Sequence, residues 1–105
     1  MENKPTCEVD ENRSQRWYLN GQYHREDGPA IEHLNGCKAW YLYGKCHRLD
    51  GPAVIWFDGH VNWYVNDIPI TVKITKWAEN NDIDLDNLSE VDKALIKLVW
   101  SDYGR

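Results

Sequence analysis

Hydrophobic and polar positions recur along this chain with a period of 23 residues. The segment 17–30 reads WYLNGQYHREDGPA, the segment 40–53 reads WYLYGKCHRLDGPA, and a third copy begins with WYVN at 63–66. A fixed period of this length is typical of repeat proteins, in which each copy is one supersecondary unit that buries its apolar face on its neighbours. Asn12, Asn35 and Asp58 share one phase of the period, so a degenerate first half-repeat begins near residue 7.

Two dipeptides, Asn35-Gly36 and Asp58-Gly59, separate short β-prone runs. Both central positions of a type I′ turn have positive φ, which Asn, Asp and Gly tolerate, so each dipeptide predicts a tight two-residue hairpin. Counting outward from the first turn pairs Ile31 with Trp40, and the second hairpin follows the same register.

This register assigns every strand residue to one of two faces, because side chains alternate across a strand. The face predicted to form the core carries large apolar residues, namely Ile31, Trp40, Leu42, Val54, Trp56, Val61, Trp63 and Val65. The opposite face is predicted to be half-exposed and carries Tyr18, Glu32, Ala39, Tyr41, Ile55, Asn62 and Tyr64.

The segments 20–29 and 43–52 lie between the predicted hairpins, and each ends in Asp-Gly-Pro. Here Gly supplies unusual φ, Pro interrupts a ladder and Asp hydrogen-bonds its own following backbone, so we expect a turn. The sequence does not decide whether residues 21–25 form a third short strand or part of one loop, and we favour the loop. His24-Arg25 and His47-Arg48 stand one repeat apart and are expected to stack as neighbours.

Helix signals replace turn signals after Val65. Thr71 predicts the cap of a helix that runs to about Asn80 and packs through Val72, Trp77 and Ala78. Ser89 followed by Asp92 is a loose capping box that begins a second helix. Its predicted buried stripe has the i, i+3, i+4, i+7, i+8 spacing and consists of Val91, Ala94, Leu95, Leu98 and Val99. We expect this helix to close the end of the sheet and to protect its edge.

These elements predict a mainly β fold with some α: a repeat-built antiparallel β-sheet of stacked hairpins capped by two C-terminal helices. Residues 1–6 are predicted to be a flexible N-terminus, residues 7–68 the β-hairpin repeat sheet, and residues 69–105 a helical cap that belongs to the same domain.

Composition narrows the class of protein. With 105 residues, 42% of them hydrophobic and six of them Trp, the chain is long enough to bury a core as one domain. A net charge of -5 disfavours direct nucleic-acid binding, which needs clustered Lys and Arg. The three cysteines follow no disulfide pattern, and there is neither a long apolar run nor a signal-peptide pattern, so we expect a cytoplasmic protein that does not bind membranes.

The Trp-Tyr pairs, the period of 23 and the Asn-Gly and Asp-Gly turns resemble MORN-type repeats, which are β-hairpin units. The His-Arg-x-Asp-Gly-Pro-Ala motif at 24–30 and 47–53 is similar to that of uncharacterised repeat proteins common in bacteriophage and large-virus genomes. The resemblance covers about residues 7–67. It implies protein or lipid contact, and for a small phage protein it implies binding to host machinery, with no catalytic residues carried over.

His24 and Asp27, repeated as His47 and Asp50, raise the alternative of an acid/base pair in a hydrolase. A catalytic centre needs one asymmetric pocket, whereas residues repeated at one phase usually solve the same structural problem twice, so we favour the structural interpretation. A zinc site is disfavoured because the cysteines and histidines lack ligand spacing. We therefore predict no catalytic residues, no metal and no cofactor.

The sequence thus favours a non-catalytic protein-binding module, most concretely a phage-encoded protein that binds and inhibits a host protein or complex such as a CRISPR or other antiviral-defence component. The predicted contact residues are four tyrosines and three acids: Tyr18, Tyr41, Tyr43, Tyr64, Asp82, Asp84 and Asp86. The alternatives are a structural or assembly scaffold, with a homodimer through a sheet edge, and an acidic mimic of nucleic acid built on the three aspartates. A solvated linker between the helices is the commoner role for such acids.

Overall fold

The computed structural model of this protein describes residues 4–105, and the first three residues of the predicted flexible N-terminus lie outside that range. Within it the chain forms antiparallel strands followed by two helices, which confirms the predicted fold class. The strands are β1 (Thr6–Val9), β2 (Gln15–Leu19), β3 (Gln22–Tyr23), β4 (Ile31–Glu32), β5 (Lys38–Ala39), β6 (Tyr41–Leu42), β7 (Lys45–Cys46), β8 (Val54–Ile55), β9 (Val61–Asn62), β10 (Tyr64–Val65) and β11 (Ile68–Pro69), and the helices are α1 (Thr71–Asn80) and α2 (Glu90–Trp100).

Each repeat contributes two kinds of hairpin. The broad hairpins β4-β5 and β8-β9 join β1 and β2 in one sheet of order β1-β2-β4-β5-β8-β9. In the tight hairpin β2-β3, β3 pairs with β2 and so belongs to the main sheet. The tight hairpins β6-β7 and β10-β11 follow Trp40 and Trp63 and are separate two-stranded sheets. Successive tight hairpins are also connected, since Gly44 N–H donates to Tyr23 O at 2.8 Å and Asp67 N–H donates to Cys46 O at 2.9 Å.

The predicted turn types are wrong at the broad hairpins. Only Gly36 of the Asn35-Gly36 pair has positive φ, and the pairing of Ile31 with Ala39 encloses a longer loop closed by a Gly36 N–H to His33 O bond of 3.0 Å. This is a type I turn followed by a glycine bulge, the usual geometry of a three-residue hairpin loop.

Type I′ geometry occurs instead at the tight hairpins, where both central residues have positive φ. These turns are Asn20-Gly21, Tyr43-Gly44 and Asn66-Asp67. Their flanking ladders make β3 and β7 short strands, so the preference for a single loop in the segments 20–29 and 43–52 is also wrong.

The observed register of the broad hairpins differs from the predicted one by one residue, since Ile31 pairs with Ala39 and not with Trp40. A shift of one residue exchanges the two faces of one strand relative to the strand beside it, so the predicted faces are wrong. Ile31 shares its face with Ala39, and Val54 shares its face with Asn62. Trp56 and Val61, predicted to be in the core, are 47% and 36% exposed.

The main core lies where the third copy meets the helices. Trp63, Val65 and Ile70 pack with Ile74 of α1 and with Ile96 and Trp100 of α2, and all six are buried. The helices therefore pack on the last tight hairpin, β10-β11, which is a separate two-stranded sheet, and not on β9, the last strand of the main sheet.

Helix bounds agree with prediction better than helix faces do. Helix α1 spans Thr71–Asn80, but Thr71 Oγ1 accepts from Trp63 N–H instead of capping the helix, and Val72 is exposed. The capping box of Ser89 and Asp92 is confirmed at the start of α2.

The predicted buried stripe of α2 is wrong. Its members all lie on the exposed side of the helix: Val91, Ala94, Leu95, Leu98 and Val99. The buried side consists of Ile96 and Trp100. Apolar residues occur around most of this helix, and Trp100 buries more area against the aromatic core than an aliphatic residue does.

Candidate functional site

The repeated histidines connect one repeat to the next. His24 Nδ1 accepts a hydrogen bond from Tyr43 N–H at 2.9 Å, and His47 Nδ1 accepts one from Asn66 N–H at 2.9 Å. Each donor belongs to the type I′ turn of the following copy, where the backbone N–H has no partner in its own two-residue loop. Ile70 occupies the third equivalent position and packs into the helical core.

Both histidines are used as acceptors, so their rings are neutral in this arrangement. Burial, followed by the positive charge of Arg105, lowers the pKa of His47 below its ordinary value. Protonation at Nδ1 would replace the acceptor with a donor aimed at the Asn66 N–H.

The arginine and aspartate of each repeat form a local clamp. Arg25 lies over the Trp17 ring at 4.5 Å, and Arg48 lies over the Trp40 ring at 3.8 Å. Their Nε atoms donate to Asp27 and Asp50, each at 2.9 Å. The prediction that each aspartate bonds its own following backbone is therefore wrong, because the guanidinium takes the carboxylate.

Gly28 and Gly51 are needed because a side chain at either position would contact an arginine. The prediction that these glycines supply unusual φ is wrong. Neither has positive φ. A Cβ at Gly51 would lie 2.6 Å from Arg48 Cζ, and a Cβ at Gly28 would lie 3.0 Å from Arg25 Cζ. The glycine lets the guanidinium lie flat between the turn and the tryptophan.

A concavity of about 570 Å³ lies between the two clamps. Its charged lining balances three cations, Arg25, Arg48 and Lys97, against three carboxylates, Glu26, Asp27 and Asp50. Both arginines are already paired with aspartates, and Nδ1 of His47 is already bonded to the backbone. The lining therefore leaves little free charge for an anion.

Three tyrosines of the first two repeats form a continuous row. The Tyr18 and Tyr23 rings stack with centroids 5.1 Å apart, and the Tyr23 and Tyr41 rings are 5.3 Å apart. The sequence predicted Tyr18 and Tyr41 but missed Tyr23. The signal was available, because a type I′ turn at Asn20-Gly21 places Tyr23 directly opposite Tyr18.

A mostly apolar groove of about 400 Å³ lies on the face that carries Tyr41 and Tyr64. Its lining includes Ile31, Val54 and Trp56 as well as both tyrosines. Trp56 therefore belongs to an exposed aromatic surface, and its Nε1 is held by Asn62 at 2.8 Å.

Cys46, also in the lining of this groove, is an unreactive thiol. Burial, with the charge of Asp67 beside it, raises the pKa of the Cys46 thiol to about 12. The thiolate that a nucleophile or a metal ligand requires is therefore disfavoured.

The remaining predicted contact residues lie elsewhere. Tyr43 sits in a type I′ turn with its ring 4.2 Å from that of His24 and is 60% exposed. Asp82, Asp84 and Asp86 are exposed in the connection between α1 and α2, where Asp84 accepts from the Asp86 N–H at 3.0 Å. Of the predicted contact residues, Tyr18, Tyr41 and Tyr64 lie together with Tyr23 and Trp56, and we call these five residues the tyrosine face. Tyr43 lies apart from them, and the three aspartates form what we call the acidic connection.

No protein-family model, curated protein or solved structure matches this chain. Across residues 4–105, no cluster of three or more His, Cys, Asp or Glu side chains is arranged to hold a metal ion. Over the same range, neither helix is long and apolar enough to cross a membrane.

Proposed function

We propose that this protein is a non-catalytic protein-binding module whose contact surface is the tyrosine face. The observation that carries this proposal is the row of contacting tyrosines, Tyr18, Tyr23 and Tyr41, beside a mostly apolar groove lined by Trp56. Tyrosine and tryptophan supply large contact area with few rotatable bonds, and they dominate the energetics of protein interfaces. The tyrosines are half-buried by their neighbours, so little conformational entropy is lost when a partner covers them.

We further propose that the partner is a host protein or complex, such as a CRISPR or other antiviral-defence component that a phage-encoded protein inhibits in the host cytoplasm. The resemblance of the His-Arg-x-Asp-Gly-Pro-Ala repeats to phage and large-virus repeat proteins supports this context. The apolar character of the groove supports a protein partner over nucleic acid.

The test is capture of host proteins followed by measurement with the purified partner. Tyr41→Ala combined with Tyr64→Ala is expected to weaken binding by about 2 kcal/mol or more. Circular dichroism should show the native fold, with a modest fall in melting temperature because both side chains are half-buried. The matched control is Tyr43→Ala, an exposed tyrosine outside the tyrosine face, which is expected to retain affinity. Full affinity of the folded double variant would refute this surface.

The alternative to binding through the tyrosine face is binding through the acidic connection. Asp84→Lys combined with Asp86→Lys abolishes binding, with steep salt dependence, if the protein mimics nucleic-acid phosphate. The tyrosine-face proposal predicts little change for this variant.

A second candidate is an assembly protein, because β1 is an edge strand of the sheet and all four of its residues are exposed. Asp10 N–H donates to Ser14 O at 3.1 Å, so these two residues are a hydrogen-bonded pair. Hydrogen-bonded and non-hydrogen-bonded pairs alternate along an antiparallel ladder, so the backbone N–H and C=O groups of Cys7 and Val9 point away from β2. Val9→Pro removes one outward donor and is expected to abolish assembly through this edge.

A further inference from the structure

Helix α2 exposes an apolar stripe that the core does not use. Val91 and Leu98 are 68% and 81% exposed, and Leu95 is 39% exposed. With Ala94 they form what we call the α2 stripe. Since Ile96 and Trp100 fix the buried side of the helix, the stripe faces away from the core.

The spacing of the α2 stripe is that of a coiled-coil seam. Val91 and Leu98 are seven residues apart, with Ala94 between them, as at positions a and d of a heptad. Glu90 and Lys97 each precede an a position by one residue, so both lie on one flank of the stripe, at its two ends. This flank carries a negative charge near the helix N-terminus and a positive charge near its C-terminus.

We propose that the α2 stripe binds a second copy of this chain, with the two α2 helices antiparallel about a two-fold axis. In that arrangement the flank that carries Glu90 and Lys97 on one helix lies against the same flank of the other helix. Glu90 of each copy therefore faces Lys97 of the other, and the two-fold axis produces this ion pair twice. A parallel pair does not bring these two residues together. The charge pattern therefore selects the second copy and its orientation.

Glu90 and Lys97 are both exposed, and Lys97, which also lines the concavity between the two clamps, makes no ion pair within residues 4–105. The Glu90 side chain is 92% exposed, and its pairing with Lys93 at 3.3 Å is a surface ion pair of little energetic value. The contact is small, because an 11-residue helix is about 16 Å long, so the dimer is weak and forms in a concentration-dependent manner.

Sedimentation of the full chain over a concentration series tests the proposal. The unmodified protein is expected to shift from monomer to dimer. Glu90→Lys or Lys97→Glu alone replaces two attractive pairs with two repulsive ones and should raise the dissociation constant about tenfold. The combined variant restores opposite charges and should restore dimerisation.

Three further variants serve as controls. Leu98→Glu should abolish the dimer while circular dichroism remains unchanged. Glu11→Lys, which makes the same charge change in the turn after β1, and Val9→Pro, which alters the sheet edge, should leave the dimer intact.

A monomer at every concentration up to about 1 mM would overturn the proposal, since a weaker contact would not be a specific one. A dimer that survives Leu98→Glu, or that is lost with Val9→Pro, would place the interface elsewhere. Loss with Leu98→Glu but no rescue by the double charge exchange would overturn the antiparallel arrangement.

Discussion

His47→Phe removes the acceptor that holds the last tight turn while keeping an aromatic ring in place. The bond it removes joins His47 Nδ1 to Asn66 N at 2.9 Å. Asn66 remains attached through its side chain, which donates to Tyr103 O at 2.8 Å, so the turn stays docked and its backbone N–H is left without an acceptor. That loss costs about 1–3 kcal/mol.

Thermal or urea denaturation at about pH 8, where unperturbed histidine is neutral, measures the loss. For a domain of this size, each kcal/mol lowers the melting temperature by about 4–8 °C. The control is His60→Phe, which follows the second broad turn and is 83% exposed. It removes only a surface contact with Asp58 and is expected to change stability by less than about 0.5 kcal/mol.

The same bond predicts a pH dependence. The pKa of His47 is lowered from 6.5 in the folded state, so the unfolded chain binds this proton first as the pH falls. The stability contributed by His47 is complete above about pH 6.5 and decreases as the pH falls from there through the folded-state pKa. The difference in stability between the unmodified protein and His47→Phe should therefore shrink in this window. An unchanged melting temperature at pH 8, or a difference that grows on acidification, would refute the role of His47 as a neutral acceptor.

Two further predictions test packing. Gly51→Ala should destabilise the protein by about 1–2 kcal/mol, because the added Cβ displaces a guanidinium held by a tryptophan and an aspartate. The loss should exceed that of Gly28→Ala, since the Cβ would lie 2.6 Å from Arg48 Cζ but 3.0 Å from Arg25 Cζ; equal effects in urea denaturation would contradict this. Trp63→Ala should cost about 3–5 kcal/mol and Trp56→Ala about 1 kcal/mol or less, since only Trp63 is in the core; similar losses of melting temperature for the two variants would favour the original assignment of both residues to the core face.

The sequence predicts the fold class well because the repeat period and the capping box are local signals. Hairpin register is harder to obtain, since Asn-Gly is compatible both with a type I′ turn and with a type I turn followed by a glycine bulge. The difference of one residue was enough to place Trp56 in the predicted core. The type I′ turns are instead at Asn20-Gly21, Tyr43-Gly44 and Asn66-Asp67, and Tyr43 is an unexpected residue for positive φ.

The candidate site was predictable only where its residues follow the repeat period. Tyr18, Tyr41 and Tyr64 share one phase of the repeat, so periodicity alone placed them on one face. Tyr23 was missed because its role depends on the tight hairpin, and Tyr43 was included although its turn directs it toward His24. The exposed side of α2 was not predictable from periodicity, because two apolar stripes fit the same helix and only tertiary packing chooses between them.

Equivalent histidines join successive repeats as neutral acceptors, and this is the structural feature on which the arrangement of the repeats depends most directly. Long-range proton–nitrogen NMR correlations of the imidazole rings at about pH 8 test it directly, because they identify which ring nitrogen carries the proton. Both His24 and His47 should carry the proton on Nε2, with couplings across the hydrogen bonds from the Tyr43 and Asn66 amides to Nδ1. Protonation of Nδ1 in either ring, or a mixture of tautomers typical of a free imidazole, would contradict the claim.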